Sequence, residues 1–84
     1  MNFILQLRLK NIDGVLERVL GVVRYRNYQI TKMMANPTPD GSRMDVTLTV
    51  NSDTRGGHIA RHLQKLWDVE SLQIYGELPQ ASYG

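Results

Sequence analysis

The order of periodic segments along the chain predicts an α+β fold of the ferredoxin-like βαββαβ type. Two segments have the 3.6-residue periodicity of amphipathic helices, and four have strand-like alternation or strand-forming residues. They follow one another as strand, helix, strand, strand, helix, strand. Right-handed connections on this order give a four-stranded antiparallel sheet with both helices on one face.

The first segments predict a strand and a helix. Alternate residues over positions 3–9 are apolar, which indicates a half-buried strand with its leucine face inward. After a break at residues 11–14, apolar residues recur with helical spacing at Val15, Leu16, Val19, Leu20, Val22 and Val23. Either Asp13 or Gly14 can cap this helix, and Asn27 is a typical left-handed terminator.

Two strands joined by a turn are predicted next. Tyr28–Ala35 alternates loosely and is rich in strand-forming residues. The N-P-T-P-D-G stretch, Asn36–Gly41, is the strongest turn signal in the chain. Met44–Val50 then shows the cleanest alternation, which predicts the third strand.

The remaining segment predicts a helix and a final strand. We expect the helix to begin near Ser52 or Asp53, with Gly56 and Gly57 delaying or fraying its first turn. Its apolar face comprises Ile59, His62, Leu63 and Leu66. Val69–Tyr75 completes the sheet.

Length and composition exclude several classes of protein. We expect one domain, residues 1–76, and a flexible tail, residues 77–84, that has no core pattern. The absence of cysteine excludes disulfides and thiolate metal sites. The net charge is +2, and its ten basic residues are dispersed, unlike those of nucleic-acid or membrane-binding surfaces. No apolar stretch suits a membrane span or signal peptide, so we expect a soluble, intracellular protein.

RNA-binding, metal and catalytic sites are disfavoured by the residues present. RNA-binding sheets need aromatic rings on the open faces of their central strands, and residues 4–8 and 45–49 contain none. His58 and His62 have helical spacing but no accompanying Glu or third ligand, so we expect one half-buried and one surface histidine. No hydroxyl nucleophile has an evident base. We therefore expect no catalytic and no metal-binding residues.

The K-N-I-D-G stretch, residues 10–14, is the best candidate for a binding site. The first amides of a helix have no partners within it and suit a carboxylate. Gly14 permits close approach to the backbone, and the side chain of Asn11 offers a donor and an acceptor. A capped turn in which Asn11 bonds to its own loop explains the same residues. The residues alone leave both interpretations open.

Several segments together resemble one known family. They are L-x-N-x-x-G-V-L-x-R-V at 9–19, R-x-R-x-Y-x-I at 24–30, S-R-M at 42–44 and L-x-K-L-x-D-V at 63–69. They resemble the ACT domain of acetolactate synthase (acetohydroxyacid synthase) small regulatory subunits, of the short single-domain type. N-x-x-G-V-L is shared by ACT domains generally. The stretch H-L-Q-K-L at 62–66, followed by Asp68 and Val69, resembles the acetolactate synthase small subunits more specifically.

The resemblance implies a non-catalytic regulatory subunit in the cytoplasm. Such subunits bind and activate a large catalytic subunit in branched-chain amino-acid (valine, leucine, isoleucine) biosynthesis. Thiamine diphosphate, FAD and Mg are expected in that partner, and no cofactor in this chain. ACT domains of this group form homodimers through edge strands and hold an amino-acid effector, often valine, between the protomers.

The resemblance also implies a set of effector-binding residues. Asn11 is expected to bind the polar end of the effector, and the backbone near Gly14 and Val15 to bind its carboxylate. Leu16 and Ile30 are expected to lie near the effector's side chain.

Two of the implied effector-binding positions depart from the family's pattern. Gln29 replaces the Asn of G-[FY]-N-I, which moves the amide outward by about 1.5 Å. Asp13 stands where relatives carry Pro, Ser or another neutral residue, and its carboxylate would compete with the ligand for the helix N-terminus. Together these changes are expected to weaken valine binding by about 1–2 kcal/mol, or about tenfold.

Other functions stay open on the sequence. A free-standing ACT amino-acid-sensing module would act on another enzyme or on a transcription system, and a plain assembly module would bind no amino acid. Arg18, Arg24 and Arg61 are candidates for subunit contacts because arginine is enriched at interfaces, with solvated charge as the plainer explanation.

Overall fold

The computed structural model describes residues 2–53 and 56–76 and confirms the predicted βαββαβ order. The elements are β1 (Asn2–Lys10), α1 (Val15–Tyr25), β2 (Gln29–Pro37), β3 (Arg43–Asn51), α2 (Gly56–Gln64) and β4 (Val69–Tyr75). All strand pairs are antiparallel, in the order β2-β3-β1-β4, with both helices on one face. The predicted tail, residues 77–84, lies outside the described residues. No helix in the described part of the chain is long and apolar enough to cross a membrane.

The core forms between the helices and one face of the sheet, as the alternation of β1 and β3 predicts. Leu5 lies opposite Leu48 on β3 and Ile74 on β4, so that three strands contribute to one layer. The fully buried side chains of the core are Phe3, Leu5, Leu7, Leu9, Val15, Val19, Val23, Val46, Leu48, Val50, Ile59 and Leu63. Burial of these residues fixes the register, because a shift by one residue would turn the apolar face to solvent.

Strand β2 differs from its prediction at both ends. It begins at Gln29, since the backbone N–H of Tyr28 still donates to the carbonyl of Val23 in α1 at 3.2 Å. The ring of Tyr28 lies in the core and packs edge-to-face against Phe3, with the ring centroids 5.9 Å apart. It continues to Pro37, two residues beyond the predicted end at Ala35. An irregularity between Ile30 and Lys32 shifts its register against β3, which explains the loose alternation of this segment.

The helix boundaries have local causes. Gly14 adopts φ 80° immediately before α1, and Asn27 adopts φ 66° after it, as expected of a left-handed terminator. Helix α2 begins at Gly56 rather than at Ser52 or Asp53. Gly56 is buried there, and a Cβ at this position would lie 3.0 Å from the ring of Phe3. The helix ends at Gln64, so Leu66 packs against the core from the following connection.

Candidate effector-binding site

The turn between β1 and α1 brings together five of the seven predicted site residues: Asn11, Asp13, Gly14, Val15 and Leu16. Helix α1 begins without a side-chain cap, so Asp13 does not take the capping role that the sequence allowed. The acidic residue of the first turn is Glu17. The first-turn amides of α1 therefore carry the positive end of the helix dipole with no capping side chain on them.

Asn11 is held by the β2–β3 turn rather than by its own loop. Its Nδ2 donates to the carbonyl of Gly41 at 2.9 Å, and its backbone N–H donates to the carbonyl of Ser42 at 3.1 Å. The side-chain oxygen of this exposed residue accepts no hydrogen bond from the described residues. The amide is thus fixed in orientation, with an acceptor still available.

The β2–β3 turn that holds Asn11 is itself closed by one carboxylate. Asp40 accepts hydrogen bonds from the backbone N–H of Ser42 at 3.0 Å, from its hydroxyl at 2.8 Å and from the hydroxyl of Thr38 at 2.9 Å. These hydrogen bonds lower the pKa of Asp40 to about 2, and the bond from the backbone N–H of Ser42 has the largest effect. Asp40 is therefore ionised at neutral pH and stabilises the turn that positions Gly41.

The other side of the β1–α1 turn is held by Asp68, which the sequence analysis did not assign to the site. The N–H of Lys10 donates to the carbonyl of Asp68 at 2.9 Å. Arg18 forms an ion pair with the buried carboxylate of Asp68, so it is more than the solvated charge that the sequence suggested. The signal in the sequence was the family motif L-x-K-L-x-D-V, which contains Asp68.

The two remaining predicted residues, Gln29 and Ile30, lie at the opposite end of the sheet. Gln29 pairs with Asn51, which pairs with Asn2 at the start of β1, whereas Asn11 follows the end of that nine-residue strand. The separation is roughly 30 Å at the rise of an extended chain. Within one chain, these two groups of residues do not form a common site.

Gln29 and Ile30 border a separate groove of about 440 Å³. Gln29 is exposed, and Ile30 is half-buried against the core. The groove is completed by Arg24, Asn27 and Tyr28. It is an open surface with one apolar side, which suits contact with another chain better than enclosure of a ligand.

A second surface lies on the open face of the sheet, which the helices do not cover. Arg8 and Arg43 border a polar concavity of about 640 Å³, but their charges are already paired. Arg8 binds Asp45 through two hydrogen bonds, which lower the pKa of Asp45 and raise that of Arg8, and Arg43 binds Glu70 at 2.6 Å. Paired cations are poor anion receptors, so we assign no ligand to this concavity.

The two histidines of α2 lie as predicted, with His58 exposed and His62 half-buried. Burial lowers the pKa of His62, and the nearby positive charges of Arg26 and Lys65 lower it further. The described residues contain no group of three or more side chains able to hold a metal ion.

Comparison with known proteins agrees with this geometry. The ACT domain family model matches residues 11–72, which include the β1–α1 turn. The chain belongs to the ACT domain family. Its relatives include the acetolactate synthase isozyme 1 small subunit of Escherichia coli K12, with 31% identity over 72 residues, 86% of this chain and 75% of that protein.

Further relatives and solved structures extend the comparison. The acetolactate synthase isozyme 3 small subunit of Escherichia coli K12 is 33% identical over 78 residues, 92% of this chain but 48% of that protein. The ACT domain from GTP pyrophosphokinase of Chlorobium tepidum superimposes with a TM-score of 0.75, covering 88% of this chain and 96% of that one. Its identity is 12%, so this likeness shows the fold alone. The predicted kinship with acetolactate synthase small subunits is thus confirmed.

Proposed function

We propose that this protein is a regulatory small subunit that binds and activates the large catalytic subunit of an acetolactate synthase in branched-chain amino-acid biosynthesis. The observation that carries the proposal is its 31% identity to the isozyme 1 small subunit over 75% of that protein's length. In this proposal, thiamine diphosphate, FAD and Mg belong to the large subunit, and this chain contributes no catalytic group.

We infer further that the effector site is shared between two copies of the chain. Strand β2 is an edge of the sheet, and it exposes Met33 and Met34 to 44% and 53%. Exposed strand edges readily pair with another chain. Met33 is the middle residue of β2, so antiparallel pairing of two β2 strands about Met33 would set Gln29 of one copy beside Pro37 of the other.

That arrangement would complete the site with the residues that one chain keeps apart. Pro37 leads into the β2–β3 turn, whose Gly41 carbonyl holds Asn11. Gln29 of the second copy would therefore approach the β1–α1 turn of the first. The two-fold axis would form two such sites in each homodimer.

A small amino acid such as valine fits the groups that meet there. The first-turn amides of α1 that follow Val15 suit its carboxylate, whereas the N–H of Val15 already donates to the carbonyl of Ile12 at 3.3 Å. The oxygen of Asn11 suits its ammonium group, because the nitrogen of that amide already donates to Gly41. Half-buried Leu16 and Ile30 supply apolar surface for its side chain.

The experiment that tests the proposed function measures acetolactate formation by the large subunit from the same cell, with and without this protein, across a valine titration. Several-fold activation that valine reverses is expected. Activation that valine does not reverse would refute the effector site and keep the subunit assignment. No activation at any ratio of the two proteins would refute the subunit assignment, and a tight amino-acid complex in calorimetry would then indicate a free-standing sensor.

A further inference from the structure

Gly21 lies in the middle of α1, where no contact among the described residues requires a glycine. Glycine is less favourable in a helix interior than any residue except proline. Gly21 does not adopt a positive φ, and a Cβ at this position would meet nothing within 4 Å. Among the described residues, neither backbone conformation nor packing therefore requires glycine here, and the missing side chain leaves room for another molecule to approach the helix backbone closely.

Gly21 forms part of a groove of about 510 Å³ between α1 and the end of α2. Half-buried Val22 and Leu66 give this groove apolar sides. Tyr25, one helical turn after Gly21, borders the groove with 82% of its surface exposed. Gly21, Val22, Tyr25 and Leu66 thus offer apolar and aromatic surface around a floor that has no side chain.

The charges along the groove are unequal at its two ends. Glu17 lies at one end, and Arg26 lies nine residues further along the helix, roughly 13 Å away. Arg26 stacks over the ring of Tyr25 at 5.8 Å and has no carboxylate partner among the described residues. The positive charges of Arg26 and Lys65 both act on His62 at this end of the groove and favour its neutral form, so the two cations here are Arg26 and Lys65. This end of the groove attracts a negative group.

We propose that the groove between α1 and α2 is the docking site for an acidic segment of the large catalytic subunit, with an apolar side chain over Gly21 and a carboxylate beside Arg26. The inference rests on the proposed function and names the surface through which it acts. A protein segment fits better than a nucleic acid, because the groove is short and has apolar sides, and its free cations are grouped at one end.

The test fills the groove or reverses its charge and measures the affinity for the purified large subunit by calorimetry. Gly21→Trp fills the groove, and its matched control, Gln64→Trp, adds the same ring at an exposed α2 position outside it. Arg26→Glu reverses the charge, and Gln64→Glu introduces a negative charge at an exposed α2 position that does not border the groove. Circular dichroism and homodimer mass establish that each variant is folded.

Gly21→Trp and Arg26→Glu are each expected to weaken binding at least roughly tenfold, while the two controls stay within about twofold of the wild type. Unchanged affinity in both groove variants would overturn the docking site while leaving the subunit assignment intact. An equal loss of affinity in the groove variants and in their controls would overturn it as well. Failure of the wild type to bind the large subunit would instead overturn the proposed function on which the inference rests.

Discussion

The guanidinium of Arg18 donates two hydrogen bonds to a single oxygen of Asp68, from Nε at 2.9 Å and from Nη2 at 2.8 Å. The Asp68 carboxylate is completely buried, whereas the Arg18 side chain is 41% exposed. The other carboxylate oxygen is buried and accepts no hydrogen bond from the described residues. The buried charge of Asp68 therefore depends on Arg18, and through it α1 is tied to the connection between α2 and β4.

Arg18→Met is expected to lower the free energy of unfolding by about 2–3 kcal/mol. Removal of one partner from a buried ion pair costs more than this, and the partial exposure of Arg18 reduces the effect. Urea denaturation measures the change. Arg24→Met, at an exposed arginine with no carboxylate partner among the described residues, serves as the control and should change stability by less than about 0.5 kcal/mol.

A second variant separates the lost ion pair from lost packing. Arg18→Met combined with Asp68→Met removes the buried charge as well, and it should recover much of the loss because apolar replacement of a whole pair is often nearly neutral. If the double variant is no more stable than Arg18→Met alone, the loss does not come from an uncompensated carboxylate.

Two adjacent glycines at the start of α2 should respond oppositely to alanine. A Cβ on Gly56 would lie 3.0–3.3 Å from three atoms of the Phe3 ring, whereas one on Gly57 meets nothing within 4 Å. Gly56→Ala should therefore destabilise the protein by about 1–3 kcal/mol through overpacking. Gly57→Ala should be neutral or stabilising by up to about 1 kcal/mol.

Thermal and urea denaturation of the two single variants measure this contrast. Phe3→Leu in the Gly56→Ala background removes the ring and should cost less than it costs in the wild type, because the clash disappears with it. Equal effects of the two alanines would show that the Phe3 ring shifts freely and that Gly56 is not selected by packing.

The sequence predicts the fold but not the difference between Gly56 and Gly57. Helical periodicity and the alternation of β1 and β3 predicted the fold, because local pattern and tertiary burial agree there. Gly56 and Gly57 are equivalent in the sequence, because both are glycines with the same low helix propensity. The ring that distinguishes them belongs to Phe3, more than fifty positions earlier in the chain, and only the packed sheet brings it into contact.

The candidate site shows the same limit. The glycine and the asparagine of the β1–α1 turn could be predicted, because Gly14 and Asn11 are residues that turns and ligands need. The partner of Asn11 could not, since Gly41 is thirty positions away and contributes a carbonyl, which every residue has. Asp68 belonged to the family motif, but the motif gave it no structural role, and its burial and its pairing with Arg18 appear only in the packed fold.

Asp40 should make the β2–β3 turn sensitive to acid. Its folded pKa of about 2 lies below the ordinary value of 3.8, so its ionised form stabilises the folded protein. This contribution is fully present above pH about 4 and is lost as the pH falls through 2. The stability difference between the wild type and Asp40→Asn should therefore be largest near neutral pH and shrink from pH 4 to pH 2. Carboxyl chemical shifts in an NMR titration measure the pKa directly, and an ordinary value would contradict the hydrogen bonding of this turn.

Asp13 should weaken the binding of an amino-acid effector through charge alone, because it does not cap α1. Asp13→Asn removes that charge from the helix N-terminus and should tighten valine binding by about two- to fivefold. Calorimetric titration with valine at low and high salt measures the effect. The gain should diminish at high salt, since screening already weakens an exposed carboxylate. A salt-independent gain would indicate a changed turn conformation instead of a removed charge.

Mixing two inactive variants should restore part of the effector binding. Asn11→Ala and Gln29→Ala each disable both sites of a homodimer if each site takes Asn11 from one copy and Gln29 from the other. A dimer with one copy of each variant has one intact site and one doubly altered site. Random exchange of protomers gives half mixed dimers, so about a quarter of the wild-type sites should return.

Valine titration of the refolded mixture measures this recovery, and the two variants assayed separately are the controls. A mixture no better than its parents would place Asn11 and Gln29 in different sites or remove Gln29 from binding altogether. Recovery would be inconsistent with a site inside one chain, because β1 holds the two residues at opposite ends of the sheet. The edge strand β2 would then be the element that makes an amino-acid site out of two identical, incomplete halves.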